Sequence, residues 1–204
     1  MVGVDLAQGM VSEARRKATA EGLDNIDFLV MKAEKLDLPD SSFDGVLSRF
    51  GLMLLENSRA GCEEMLRVLK VGGRYAVAVW DEGEGNTLFY AIAQAFRERV
   101  PEQLQLPVER ASRLAGPNVL PDLLKKCGAS QTETELFAFE MKFSGFQEIW
   151  TLVQDSGVLD AQLGSLLTDE RLAVRDDLEN LLSEFKHNGG YLIPHKCRLV
   201  WGKR

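Results

Sequence analysis

Cysteine is scarce and scattered. The three cysteines, Cys62, Cys127 and Cys197, form no CxxC pair. An odd, dispersed set argues against a disulfide framework and against a zinc site, and it fits a reduced cytoplasm. Histidine is scarcer still, with only His187 and His195. No apolar run approaches the roughly 18 residues that span a bilayer, so no membrane span is expected. The first residues, MVGVDLAQGM, carry neither a basic start nor a long apolar stretch, which is unlike a signal peptide. Positive charge is also short: 24 Lys and Arg stand against 31 Asp and Glu, a formal net charge of −7. An acidic surface repels phosphate, which disfavours nucleic acid as a partner. Repeats and low-complexity tracts are absent.

What is present is an ordinary globular composition, 45% hydrophobic and 27% charged over 204 residues, enough to bury a sizeable core. Val2 to Leu6 is a short apolar run that reads as a buried strand. Met10, Val11, Ala14 and Ala18 follow at helical spacing, stopped by Gly22. Ile26 to Met31 and Phe43 to Ser48 are further strands, with a turn at Leu38-Pro39-Asp40. Cys62, Met65, Leu66 and Leu69 mark a helix face that Gly72-Gly73 ends, and Tyr75 to Trp80 is a fourth strand. Three strand–helix alternations predict a parallel α/β sheet covered on both faces, with its ligand at the carboxyl ends of the strands.

The second half reads differently. A helix over Leu88–Val100 leads to a linker over Gln103–Pro117 and a short helix over Val119–Cys127. Phe137, Phe139, Met141 and Phe143 alternate as a half-buried strand. Helices then carry Phe146 to Val153, Leu163 to Leu167 and Val174 to Phe185, and a final strand runs to Trp201. Pro194 has no amide donor, so the regular part of that strand is expected to begin after it. A hairpin whose connection has grown into a helical lid is expected: core over residues 1–144 and 190–204, insertion over residues 145–189.

Asp5 is the most informative residue. It follows an apolar strand and precedes a turn into a helix. An acid there can accept bonds from both hydroxyls of a ribose, because its two oxygens match their separation. It can equally be an acid placed near a helix N-terminus. Neither histidine stands at a strand end in this reading, so each is expected to be solvated or structural, and no general base can be named.

The run FLVMKAEKLDLPDSSFDGVLSRFGLMLL, followed by EEMLRVLKVGGRYAVAVW, resembles class I S-adenosylmethionine (SAM)-dependent methyltransferases. Within them it is most similar to the ubiquinone and menaquinone C-methyltransferase group and its small-molecule relatives (the methyltransferase type 11 group). The resemblance extends from Val2 to about Trp80 and weakens towards the closing strand. It implies a Rossmann-like methyltransferase sheet, mostly parallel with an antiparallel closing strand. It implies that Asp5 binds the SAM ribose and that Leu6 and Met10 pack on the adenine. The Ala33 amide would meet an adenine nitrogen with Glu34 beside it, and Ser48, Arg49 and Phe50 would line the floor under the reactive methyl. For Met10 and Phe50 a plain core role stays open.

Two departures bear on these roles. Lys32 stands where the family usually has an acid that accepts from the adenine amino group, and a lysine can only donate. Adenine recognition is then weaker, or Glu34 substitutes. The glycine-rich loop after the family's first strand has no match; Gly83 and Gly85 are flanked by acids and follow the wrong strand. The expected architecture is therefore N-terminally incomplete, with two sheet edges left without partners. Such a chain should bind SAM poorly and resist staying monomeric, with a homodimer as one outcome. Three readings follow: a SAM-dependent enzyme acting on a small-molecule acceptor, a non-catalytic methyltransferase-like scaffold, and a nicotinamide-dependent dehydrogenase. The last does not explain the L-P-x-x-S-F-D run.

Overall fold

The computed structural model describes residues 1–81, 86–97, 99–100 and 112–204. Gly83, Gly85 and most of the expected linker lie outside the described residues. None of the described helices is long and apolar enough to cross a membrane.

The chain opens with β1 (Val2–Asp5), α1 (Gln8–Ala20) and β2 (Asp27–Val30). β1 and β2 pair in parallel, with Asp5 opposite Val30. α1 buries only Val11 and Ala18, while Met10 is 61% exposed. β3 (Phe43–Arg49), α2 (Ser58–Val68) and β4 (Leu69–Trp80) form the next parallel unit. Asn57 starts α2 by accepting the Ala60 N–H at 3.0 Å.

Gly72-Gly73 does not end that helix. α2 stops at Val68, and Leu69, expected on the helix face, is already in β4 and fully buried. β4 advances from Leu69 to Arg74 while β3 advances only from Phe43 to Gly45. The surplus is taken up at Gly72, whose φ of +77° suits glycine, and at Gly73, where a Cβ would stand 2.8 Å from the Lys70 carbonyl oxygen. The pair is a bulge inside a strand.

The remaining elements are α3 (Thr87–Arg97), α4 (Val119–Lys126), β5 (Gln131–Phe143), α5 (Phe146–Asp155), α6 (Gly157–Gly164), α7 (Thr168–Leu181), β6 (Lys186–His187) and β7 (Gly190–Lys203). The strands make two sheets: β1-β2, and β3-β4-β7-β5 with β6 on β7. The bonds Gly72 N–H to Arg204 O and Asp81 N–H to Lys196 O make β7 antiparallel to β4. Among the described residues no strand joins β1 to β3, the gap that the resemblance implies.

Pro194 lies inside β7, contrary to expectation. β4 ends at Trp80, level with Lys196, so β7 has outrun that neighbour at Pro194 and the missing donor interrupts no ladder with β4.

Two compact units emerge, Met1–Ala78 with Pro117–Thr134 and Leu199–Arg204, and Val79–Gly116 with Glu135–Arg198. In the first, α2 buries Cys62, Met65 and Leu66, and α4 packs on it with Leu120 and Leu124. In the second, α3 buries Leu88, Ala91, Ile92, Ala95 and Phe96, a stripe of helical period. α3 packs against α7, in one core with Ile149, Val153, Val174, Leu178 and Ile193.

Candidate functional site

The sequence-predicted residues lie in the first unit, at the carboxyl ends of strands. Asp5 Oδ1 accepts the Ala7 N–H at 2.8 Å, which holds the turn from β1 into α1. The Asp5 carbonyl accepts the Met31 N–H at 3.1 Å, so the ends of β1 and β2 stay side by side. Asp5 is exposed, and so are Leu6, the next residue, and Met10 in the first turn of α1, at 63% and 61%. Ala33 and Glu34, both half-buried, form the turn after β2, closed by Lys35 N–H to Lys32 O at 3.1 Å. Lys32 is exposed beside them.

Parallel pairing thus sets the end of β1, with Asp5 and the following Leu6 and Met10, beside the end of β2, which Ala33 and Glu34 follow. Ser48, Arg49 and Phe50 end β3 on the other sheet. Ser48 and Phe50 are half-buried and Arg49 is exposed. Phe50 has a φ of +58°, strained for a non-glycine residue, and its N–H donates to Ala78 O at 2.8 Å. One bond spans the two loops: Glu34 Oε1 accepts the Glu56 N–H at 3.1 Å, so this carboxylate already has a structural task.

Arg67 holds the loop that carries Ala33 and Glu34. Its guanidinium donates to the carbonyls of Leu36 and Leu38 at 2.9 and 2.8 Å and pairs with Glu64 and Asp40. Glu64 in turn accepts the Leu36 N–H at 2.6 Å, and Lys70 pairs with Asp44 at 2.7 Å. The L-D-L-P, S-F-D and R-V-L-K runs are one hydrogen-bonded assembly.

The Arg67 bonds hold the Glu64 carboxyl below the usual carboxylate range, against the opposing effect of burial. A carboxyl depressed in the folded state stabilises fully above its unfolded pKa and loses that contribution as pH falls through its folded value. Glu64→Gln is therefore expected to lower stability at neutral pH by about 1–3 kcal/mol. It should also flatten the acid limb of a melting-temperature profile below the usual glutamate range, and an unchanged slope would contradict this coupling.

A group that sequence reasoning missed sits in the second unit, where β4 ends. His195 is 1% exposed, which removes the solvated alternative and leaves the structural one, and it lies beside the end of β4 rather than away from strand ends. Its Nδ1 lies 3.0 Å from the Ile193 carbonyl oxygen, so Nδ1 carries the proton and Nε2 is a bare acceptor. Burial pushes its pKa below the usual imidazole range. Trp80, Phe89 and Phe139 surround it, ring centroids 5.9, 5.7 and 5.7 Å away. Asn86, 5% exposed, donates from Nδ2 to Asp81 O at 2.8 Å. His195 Nε2 and Asn86 Oδ1 are buried without hydrogen-bond partners among the described residues. Asp81 pairs with Arg198 at 3.2 Å.

The missed signal was in plain sight: Tyr191, Ile193, His195 and Cys197 alternate at period two, which puts the imidazole on the buried face. His187 is exposed in the β6–β7 hairpin, as expected.

Residues 1–77 match the family described as "Methyltransferase domain". Aklanonic acid methyltransferase DauC of Streptomyces sp. (strain C5) is 36% identical over 107 residues, 50% of this chain and 49% of that protein. The ubiquinone/menaquinone biosynthesis C-methyltransferase UbiE of Stenotrophomonas maltophilia (strain R551-3) is 43% identical over 79 residues, 38% of this chain and 31% of that protein. The match thus spans half or less of these relatives. Among solved structures, phosphoethanolamine N-methyltransferase 2 of Haemonchus contortus, in complex with S-adenosyl-L-methionine, superposes on 100% of this chain and 43% of its own, with a TM-score of 0.57 and 17% identity. The [4+2]-cyclase SpnF superposes on 99% of this chain and 66% of its own, with a TM-score of 0.56 and 19% identity. These likenesses establish the Rossmann-like methyltransferase fold.

Proposed function

With residues 1–77 matching a methyltransferase domain, we propose that this chain is a SAM-dependent methyltransferase that acts on a small-molecule acceptor. The observation that carries the reading is Asp5: an exposed carboxylate at the end of β1, followed by uncovered apolar side chains at Leu6 and, in the first turn of α1, Met10. A nucleoside suits that arrangement, since its hydroxyls need an acceptor and its base needs an apolar face. The Ala33–Glu34 turn stands on the adjacent strand end, where the adenine edge would fall. Ser48, Arg49 and Phe50 are proposed to face the reactive end.

SAM would supply a methyl group already activated on a sulfonium. The task left to the protein is positioning, which is worth several orders of magnitude in rate. The residues present fit the nucleoside half; no glycine-rich strand end stands among the described residues to receive the amino-acid half. The relatives named for aklanonic acid and for ubiquinone and menaquinone support a small organic acceptor. Residues 145–189 are proposed to choose it, because they interrupt a hairpin with three helices. A cytoplasmic location and homodimerisation through unpaired strand edges belong to the same proposal.

The second reading, a methyltransferase-like protein that does not bind SAM, is favoured by Lys32 and by the incomplete cradle. Calorimetric titration with SAM separates the two. Asp5→Ala is expected to weaken binding by about 2–4 kcal/mol, roughly 30- to 700-fold in Kd. Equal affinity in the variant would remove Asp5 from the site, and a wild-type chain with no affinity would favour the scaffold.

A further inference from the structure

We propose that Cys62 and Cys127 are a modification site, which a hydroperoxide oxidises to a disulfide that ties α2 to α4. All three cysteines are free in the structure. α4 packs on α2 with Leu120 and Leu124 fully buried. Cys127 caps the C-terminus of α4, its N–H donating to the carbonyls of Leu123 and Leu124 at 3.0 and 3.1 Å. Its Sγ lies 3.9 Å from the carbonyl oxygen of Arg59 in α2. Arg59 stands three residues before Cys62, one turn away on the same face. A helical side chain leans towards the helix N-terminus, over the turn that precedes it. Cys62 therefore leans towards the turn that Cys127 Sγ touches. This sets the two sulfurs against one turn of α2, the proximity that a disulfide needs. Cys197 lies in β7, within the other compact unit.

The two thiols differ in access, which sets the order of events. Cys62 is fully buried and Cys127 half-buried. Burial pushes the Cys62 thiol up to about 12, and the charges of Cys127 and Glu63 add to it. Burial and Glu63 raise Cys127 as well, against the opposing pull of Arg59. The thiolate is the attacking form, so both thiols rest protonated, and Cys127, with solvent access and a cation beside it, reacts first. Its sulfur attacks the terminal oxygen of the hydroperoxide. The O–O bond breaks, Cys127 becomes a sulfenic acid, and the leaving alkoxide or hydroxide takes up the proton that the thiol gave up. Cys62 Sγ then attacks Cys127 Sγ. The S–S bond forms, the S–O bond breaks, and hydroxide leaves with the Cys62 proton as water. Two thiols have lost two hydrogens, and the hydroperoxide has been reduced to an alcohol or water.

The test treats the reduced full chain with hydrogen peroxide at mildly alkaline pH, where thiolate is more abundant. The protein is then denatured, alkylated with iodoacetamide and mapped by peptide mass spectrometry. Two of the three thiols should be lost to one intramolecular disulfide that joins the Cys62 and Cys127 peptides, with Cys197 alkylated. Dithiothreitol should restore all three. In Cys62→Ala, Cys127 should stop at the sulfenic acid and take a dimedone label. In Cys127→Ala, Cys62 should survive the same treatment as a free thiol. The wild-type map needs no variant to fold. A disulfide that includes Cys197, a bond formed only between two molecules, or Cys127 carried on to sulfinic acid while Cys62 stays alkylated would overturn the proposal. So would three thiols left unreacted. None of these results bears on SAM affinity, which the Asp5 titration measures separately.

Discussion

Replacing Arg198 by methionine is expected to lower stability by about 3–5 kcal/mol. For a chain of this size that corresponds to a melting temperature roughly 6–20 °C lower. The side chains of Arg198 and Asp81 are 9% and 13% exposed, and the guanidinium reaches both carboxylate oxygens at 3.2 and 3.3 Å. Removing the cation leaves a buried carboxylate that still accepts the Gly116 N–H at 3.2 Å but has lost its counter-charge. The damage should extend beyond stability. The Asp81 carbonyl holds Asn86 Nδ2, and its N–H holds Lys196 O, so the residues on both sides of His195 are tied to this one position. The double variant Asp81→Asn with Arg198→Met should recover most of the loss, because it removes the uncompensated charge along with its partner. A melting temperature for Arg198→Met within 2 °C of wild type would show that the pair is not what secures the end of β4.

The second large effect is on assembly. The chain of residues 1–204 is expected to self-associate, and lysine at the open edges should prevent it. β1 pairs with β2 alone and β3 with β4 alone among the described strands, so one edge of each keeps its backbone donors and acceptors unpaired. Leu47, in the middle of β3, is 78% exposed, and Val4 in β1 is 37% exposed. Apolar residues on an unpaired edge invite a strand from another molecule, whereas a lysine there must stay in water and blocks the approach. Light scattering should report a mass above that of the monomer for wild type and the monomer mass for Val4→Lys combined with Leu47→Lys. A monodisperse wild-type monomer would defeat this account of the edges.

Local pattern carried a good part of the fold. The strands expected at Val2 to Leu6 and across Phe137 to Phe143, and the helix expected over Leu88–Val100, are found as β1 (Val2–Asp5), β5 (Gln131–Phe143) and α3 (Thr87–Arg97). Those signals depend on neighbours a few residues apart, which is the range over which a helix or strand repeats. Reading failed where the deciding partner was distant. Gly72-Gly73 looked like a helix stop because glycine ends helices; only pairing with β3 makes it a bulge. Pro194 looked excluded from a strand; only the end of β4 at Trp80 leaves room for it in β7.

The candidate site divides along the same line. The sequence by itself determined that Asp5 ends an apolar strand and that the K-A-E turn ends the next, since both follow from strand length and turn chemistry. Tertiary structure alone decided that Arg67 binds the carbonyls of Leu36 and Leu38, about thirty residues upstream, and so holds that turn in place. It alone decided that His195, more than a hundred residues beyond Trp80, lies against that ring with a bare Nε2. Whether a buried acceptor finds a donor depends on how long-range elements close over it, and no periodicity within a strand encodes that.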